Sequence, residues 1–155
     1  MWARMREMTR LVGLSLMLAV ALAAALPFAA PARSAESSSA LQAVRQQLQT
    51  AAFHATNASN QGALSAAVLH LGHALNCIEG PRGTNFDASW GNVCEGQGQG
   101  IAVDLRALPQ ANQVRLLVEA ADALALAGVK SGDLAATRNA ARGVAALLEL
   151  VLNSL

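Results

Sequence analysis

The chain is poor in aromatic residues: it has no tyrosine, three phenylalanines and two tryptophans among 155 residues. All four methionines lie within the first 17 residues, so the remainder of the chain has none. A core built from that remainder must therefore be mostly aliphatic. The lack of methionine also argues against His/Met haem ligation and against a thioether copper site.

Several catalytic and cofactor motifs are missing as well. Covalent c-type haem needs a Cys-x-x-Cys-His motif and dithiol redox chemistry needs Cys-x-x-Cys, and neither occurs. No Gly-x-Ser-x-Gly turn is present to expose a nucleophilic serine. The glycine run from Gly96 to Gly100 lacks the Lys-Ser/Thr pair of a phosphate-binding loop. We therefore expect a protein that is not an enzyme and carries no haem c.

Charge excludes another class of function. Beyond residue 35 the chain has seven basic and nine acidic side chains, which gives a net charge of −2. Proteins that bind nucleic acid or anionic membranes present a basic surface. We therefore expect neither nucleic acid nor a membrane among the partners of this domain.

The N-terminal segment has the layout of a secretory signal peptide. Three arginines within the first ten residues form a basic start, and an uncharged stretch rich in leucine and alanine follows from Leu11 to Ala32. Small residues and prolines then offer cleavage sites. We predict a signal peptide at residues 1–35 and a single helical domain at residues 36–155, which would be periplasmic or secreted.

Three alternatives to a cleaved signal peptide are a membrane anchor, a lipid anchor and a twin-arginine signal. Leu11 to Ala30 would be about long enough for an uncleaved membrane anchor, since a spanning helix needs about 20 residues. A lipid anchor would need a cysteine near the cleavage region, and none is there. A twin-arginine signal would need adjacent arginines, which Arg4 and Arg6 are not. The prolines and small residues favour cleavage.

Two cysteines, Cys77 and Cys94, are expected to form a disulfide, because exported proteins oxidise such pairs. A bridge of this loop length would stabilise the fold by about 3 kcal/mol. The alternative is a pair of thiolate metal ligands.

Hydrophobic periodicity predicts four helices in the mature domain. Apolar residues recur at spacings of three and four in each of them. The predicted ranges are 39–57, 63–78, 109–127 and 131–152. A long glycine-rich segment, Gly80 to Leu108, separates the second helix from the third. The sequence therefore predicts an all-α fold: an antiparallel four-helix bundle with a long, disulfide-pinned loop between helices 2 and 3.

Local signals give the expected ends of these helices. The stretch Asn57 to Gly62 is typical of a tight connection, and Gly80 with Pro81 should end the second helix. Pro109 suits the first turn of the third helix, which Gly128 should end. Ser131 is expected to cap the fourth helix.

The second helix carries the most informative residues. At about 100° per residue, His70, His73 and Cys77 share one side of it, nearly opposite the apolar stripe that includes Leu71 and Leu75. A bond from Cys77 to the glycine-rich segment would fold that loop over or beside the histidines. The pattern predicts a shielded pocket with two imidazoles in one wall.

Two histidines at this spacing can hold one metal ion, although tight binding needs further ligands. His54, near the end of the first helix, is the only other histidine, and the short connection brings it within possible reach. The metal ligands predicted are His70, His73 and His54. Acidic candidates for an additional ligand are Glu79, Asp87, Glu95 and Asp104. Alternatively, each histidine hydrogen-bonds a backbone carbonyl or faces water.

The run H-x-x-H-x-x-N-x-x-E-G, from His70 through Asn76 and Glu79 to Gly80, is followed by Phe86-Asp87, Gly91-Asn92 and Gly96 to Gly100. It resembles small exported bacterial helical domains that have no established activity. The resemblance covers Leu69 to Asp104, about a quarter of the chain. It marks this segment as the functional one. The residues expected to brace the loop are Asn76, Glu79, Asp87 and Asp104.

Two functions of different classes follow from these observations. The first is an exported, non-enzymatic helical bundle that binds copper or zinc through His70 and His73, with His54 or a loop acid. The second is an interaction module whose loop docks an unknown protein partner through Trp90 and Phe86, the histidines only bracing it. An exposed Trp90 would favour the second.

Overall fold

The computed structural model describes the backbone of residues 32–155 and the side chains of residues 36–155, except that of Gln110. Within these residues the regular structure is entirely helical, with no strand. The five α-helices are α1 (Ala32–Asn60), α2 (Leu64–Glu79), α3 (Ile101–Asp104), α4 (Arg115–Lys130) and α5 (Leu134–Ser154). The predicted signal peptide lies almost wholly outside the described residues. The expected all-α class is confirmed.

Helix α1 is longer than predicted at both ends, and the expected turn at Asn57 is absent. Ala58 and Ser59 are buried, so packing continues through this stretch. The Asn60 and Gln61 side chains donate back to the carbonyls of Thr56 and Asn57 at 3.1 and 3.2 Å. These bonds satisfy the last turn of the helix, and only residues 61–63 connect it to α2.

Helix α2 ends as the sequence predicts. Gly80 takes φ 71°, and its N–H donates to the Asn76 carbonyl at 2.8 Å. A side chain at residue 80 would overlap the backbone of Gln99. Glycine is therefore favoured here for two reasons: the backbone has a positive φ, and the returning loop approaches too closely for a side chain.

The segment after α2 contains more helix than predicted. Three short 3₁₀-helices accompany α3, and their bounds are Ala88–Trp90, Leu105–Ala107 and Pro109–Gln113. Pro109 therefore begins a 3₁₀-helix, and the prediction that it begins the third long helix is wrong. That helix, α4, begins at Arg115, because Val114 caps the preceding turn with its N–H on the Ala111 carbonyl.

Gly128 does not end α4, contrary to the prediction, and the helix continues to Lys130. A Cβ at residue 128 would lie 2.6 Å from Leu71 Cδ2 and 2.7 Å from Ala140 Cβ. The glycine thus permits close packing of α4 on α2 and α5 and has no terminating role.

Ser131, which was expected to cap the start of the last helix, α5, instead caps the end of α4. Ser131 is the C-cap of α4, and its hydroxyl donates to the Gly128 carbonyl at 3.0 Å. Gly132 follows with φ 67°, which turns the chain. Asp133 is the N-cap of α5 and accepts from the Ala136 N–H at 2.7 Å.

The core is aliphatic, in keeping with the composition. Its largest fully buried apolar side chains are Leu48, Leu71, Leu75, Ile78, Ile101, Leu105, Leu108 and Leu148. Members of α1, α2, α4 and α5 share one buried cluster. Arg138 of α5 also donates to the Ser59 carbonyl at 2.8 Å, which ties α5 to the end of α1. Across residues 32–155, no helix has the length and apolarity needed to cross a membrane.

Candidate metal centre

Three histidines meet between α1 and α2. His54 Nδ1 lies 3.2 Å from His70 Nδ1 and 3.2 Å from His73 Nδ1. One ring nitrogen from each of the three falls within 4.8 Å of the others. The three rings are partly buried. We call His54, His70 and His73 the histidine cluster.

The short connection after Asn60 explains this meeting. It returns α2 alongside α1, so a residue near the end of α1 faces residues well inside α2. His70 and His73 are three positions apart and therefore neighbours on one side of α2. His54 lies between them, with its ring stacked on His70 and edge-on to His73, at centroid distances of 5.4 and 4.7 Å.

Burial and charge repulsion favour the neutral form of His54 and His73. Burial, then repulsion from His73 and His70, lowers the pKa of His54 to about 4. Burial also lowers the pKa of His73, and repulsion from His70 adds to that effect, although a hydrogen bond to the Trp90 backbone opposes it. Neutral imidazole has one ring nitrogen with a free lone pair, which is the form that binds metals.

The loop after α2 contacts the histidine cluster through its Trp90–Gly91 backbone. His73 hydrogen-bonds to the Trp90 backbone, and its Nε2 would lie 3.9 Å from a Cβ at residue 91. A proton on Nε2 would leave the lone pair of His73 at Nδ1, which lies 3.2 Å from His54 Nδ1. This arrangement matches metal-binding histidines, which donate their other N–H to a protein acceptor.

Trp90 packs onto α2 beside the cluster. A Cβ at residue 72 would overlap the indole ring, so only glycine admits Trp90 here. The side chain is partly buried. The exposed Trp90 that a docking surface would favour is therefore not found.

The Asn76 side chain of α2 holds the loop through three hydrogen bonds. Its fully buried side chain donates to the Asp87 and Gly91 carbonyls at 2.7 Å each and accepts from the Asp87 N–H at 2.9 Å. These three bonds hold both flanks of the Ala88–Trp90 turn. Asp87 in turn accepts from the Ser89 N–H at 2.8 Å and caps that turn.

Two further links hold the loop: a disulfide to α2 and hydrogen bonds to α1. The Cys77–Cys94 disulfide is formed, with Cα atoms 5.4 Å apart. Gln47 of α1 is fully buried, donates to Asp104 Oδ2 at 2.8 Å and accepts from the Gly100 N–H at 3.0 Å. Asp104 also accepts from the Gln99 N–H at 2.8 Å. The glycine-rich loop is thus bound to both α1 and α2.

Glu79 belongs to a separate carboxyl pair with Asp122 of α4. Glu79 accepts from Asn85 Nδ2 at 2.6 Å and hydrogen-bonds with Asp122. Burial, then the neighbouring Glu79, raises the pKa of Asp122 to about 6. Asp122 Oδ1 is buried and has no hydrogen-bond partner among the described residues.

The metal-ligating group found within the described residues consists of the three histidines alone. The acids considered as an additional ligand are not part of it. Glu79, Asp87 and Asp104 instead make the loop contacts described above. The sequence reasoning missed Gln47, Gly72 and Asp122, although a glutamine on the apolar stripe of α1 was a usable signal for a buried hydrogen-bonding residue.

Comparison with known proteins adds no relative: no family model, no curated protein and no solved structure matches this chain. The resemblance to small exported helical domains therefore stays a prediction.

Proposed function

We propose that this chain is an exported, non-enzymatic helical protein that binds one copper or zinc ion through His54, His70 and His73. The observation that carries the proposal is the contact of His54 Nδ1 with both His70 Nδ1 and His73 Nδ1, each at 3.2 Å. The proposal keeps the three ligands predicted from the sequence, in which His54 accompanied the pair on α2.

The spacing suits a tetrahedral ion. Nitrogens bound at about 2.0–2.1 Å in tetrahedral geometry lie about 3.3–3.4 Å apart. The two Nδ1 distances from His54 are both 3.2 Å. A metal ion would thus need only small ring movements at these two contacts.

Proton occupancy supports the same function. A contact between two ring nitrogens holds one proton, and His54 Nδ1 can donate its proton to both neighbours. On metal binding that proton would move to His54 Nε2, which frees the Nδ1 lone pair and keeps the imidazole neutral. Because the pKa of His54 is about 4, little competition from protons is expected near neutral pH.

The donor set favours zinc and copper over harder cations. Imidazole nitrogen suits zinc and copper, whereas magnesium, calcium and manganese prefer carboxylate and carbonyl oxygen. No carboxylate belongs to the histidine cluster within the described residues, and non-haem iron sites usually include one.

Two structural expectations belong to the same proposal. We propose that the four long helices, α1, α2, α4 and α5, form an antiparallel bundle, with the disulfide-bonded loop crossing from α2 to α4. We also propose export to the periplasm or the medium. The buried Cys77–Cys94 disulfide supports export, since such bonds persist mainly in oxidising compartments.

The test is elemental analysis with calorimetric titration of zinc and copper, on protein from the full chain carrying no polyhistidine tag. We expect one ion per chain, and loss of binding in His70→Ala/His73→Ala. The matched control is Gln42→Ala/Gln49→Ala, which alters exposed residues of α1 and should bind normally. No binding tighter than about 1 µM by the unaltered protein would end the proposal.

A docking role for the loop has one observation in its favour. An open cleft of about 360 Å³ lies between the loop and α4, and its lining includes Phe86, Trp90, Leu126 and Lys130. However, Trp90 packs on Gly72, which favours a structural role for the indole over contact with a partner. If the metal test fails, pull-down with Phe86→Ala and Lys130→Ala as paired variants would test this role.

A further inference from the structure

We infer that a metal ion in the histidine cluster keeps one coordination position for an exchangeable small monoanion. This inference rests on the proposed metal site and adds a second ligand to it. The first step concerns the number of protein donors. Three histidines supply three, and a tetrahedral ion accepts four.

No acid or cysteine of the described residues joins the three histidines as a ligand. Both cysteines are in the disulfide. Glu79 bonds with Asn85 and Asp122, and Asp104 bonds with Gln47 and Gln99. Within the described residues, the ligand group stops at the three histidines. The fourth donor must then come from outside this group.

Exposure allows such a donor to reach the ion. His54, His70 and His73 are each partly exposed rather than buried. A metal site with three protein ligands and solvent access holds water or another small molecule in its fourth position. The histidine cluster has this composition.

Charge selects the class of ligand. Histidine binds a metal ion as neutral imidazole, so three histidine donors cancel none of the charge of a bound dication. No carboxylate belongs to the group. An anion therefore gains more at the open position than a neutral molecule does.

The surroundings select among anions. The Phe53 ring is edge-on to the His54 ring, with centroids 5.3 Å apart, and 62% of the side chain is exposed. An apolar ring at the edge of the site disfavours strongly hydrated ions. The ligand class that fits is a small, weakly hydrated monoanion such as thiocyanate or azide.

The experiment uses protein from the full chain loaded with one equivalent of Co²⁺, whose visible spectrum reports its ligands. Titration with thiocyanate and azide should change the spectrum saturably while the cobalt stays bound. Sulfate, tested at the same ionic strength, should not. Phe53→Ala should lower the ratio of thiocyanate to chloride affinity roughly threefold.

Three results would overturn the inference in distinguishable ways. Stoichiometric cobalt with a spectrum that no anion alters would show a closed coordination sphere and leave the proposed metal site standing. The same closed spectrum in a protein that dimerises on loading would assign the fourth ligand to a second copy. Failure of cobalt, zinc and copper alike to bind would remove both proposals together.

Discussion

Helix α2 contributes side chains to two groups of titratable residues, and burial changes pKa values in opposite directions in the two groups. At the histidine cluster, burial and repulsion lower the pKa of His54 to about 4. At the C-terminal end of α2, burial beside Glu79 raises the pKa of Asp122 to about 6. In both places the neutral form is favoured, but neutral imidazole offers a lone pair to a cation, whereas a protonated carboxyl donates its proton to its neighbour. The same desolvation thus suits the first group to metal and the second to a shared proton.

The largest effect should come from Asn76→Ala, which releases the loop beside the histidine cluster. Three buried hydrogen bonds that hold the flanks of the Trp90 turn would be lost. We expect the free energy of unfolding to fall by about 3 kcal/mol, measured by urea denaturation. Zinc affinity should also fall, about tenfold, because the backbone behind His73 is released.

The matched control for that variant is Asn153→Ala, an exposed asparagine of α5. It should change stability by less than about 0.5 kcal/mol. If Asn76→Ala behaved like the control, the loop would not depend on this side chain.

A smaller effect, confined to the histidine region, is expected from Gly72→Ala. The added methyl group would overlap the Trp90 indole, and overpacking of this kind costs about 1–3 kcal/mol. The emission of Trp90 should move to longer wavelength as the ring is displaced into water. Unchanged emission with unchanged stability would contradict the packing of Trp90 on α2.

Asp122→Asn tests the Glu79–Asp122 carboxyl pair without changing the histidine cluster. The folded pKa of Asp122 is raised above its unfolded value, so this group favours folding below about pH 4 and loses that contribution as pH rises through about 6. Asparagine removes the buried charge, and we expect a gain of about 1 kcal/mol at pH 7.5, reduced by partial solvation. Glu119→Gln, an exposed acid on α4, is the matched control. Destabilisation at pH 7.5 would show that the charged form of Asp122 is stabilised.

His54 should change the pH dependence of stability in the opposite direction, and His54→Gln tests this. The folded pKa of His54 is about 4, below the unfolded 6.5. The unfolded chain therefore binds more protons between these values, and His54 lowers stability as pH falls from 6.5 to 4. We expect the variant to lose about 1 kcal/mol less than the unaltered protein over this window, after allowance for partial exposure. Parallel pH profiles of the metal-free proteins would contradict the lowered pKa.

In the unaltered protein these two contributions oppose each other over nearly the same pH window. Their net effect on the free energy of unfolding between pH 4 and 6.5 should therefore be small, below about 1 kcal/mol from these two groups. Chemical denaturation at several pH values, with both variants alongside, would measure each contribution by difference.

The part of the site that lies on one helix was predictable from the sequence. His70 and His73 follow from helical spacing, and the Cys77–Cys94 bond follows from two cysteines beyond a predicted export signal. His54 was a weaker expectation, because its approach depends on where the connection falls. Helix α1 runs to Asn60, and that length sets the register of His54 against α2.

The features that the sequence did not predict depend on contacts distant in the chain. Gly128 has the pattern of a helix end, but close packing against Leu71 and Ala140 requires a glycine within α4. Asp122 has the pattern of a surface acid until α4 packs beside Glu79. Local propensity cannot supply such information, since tertiary contacts override it.

The central claim is that three imidazoles bind one metal ion, and X-ray absorption spectroscopy of the zinc-loaded protein tests it most directly. We predict three imidazole nitrogens at about 2.0–2.1 Å and one further light donor that exchanges with added thiocyanate. A coordination sphere of oxygen donors, or one with a single imidazole, would contradict the claim.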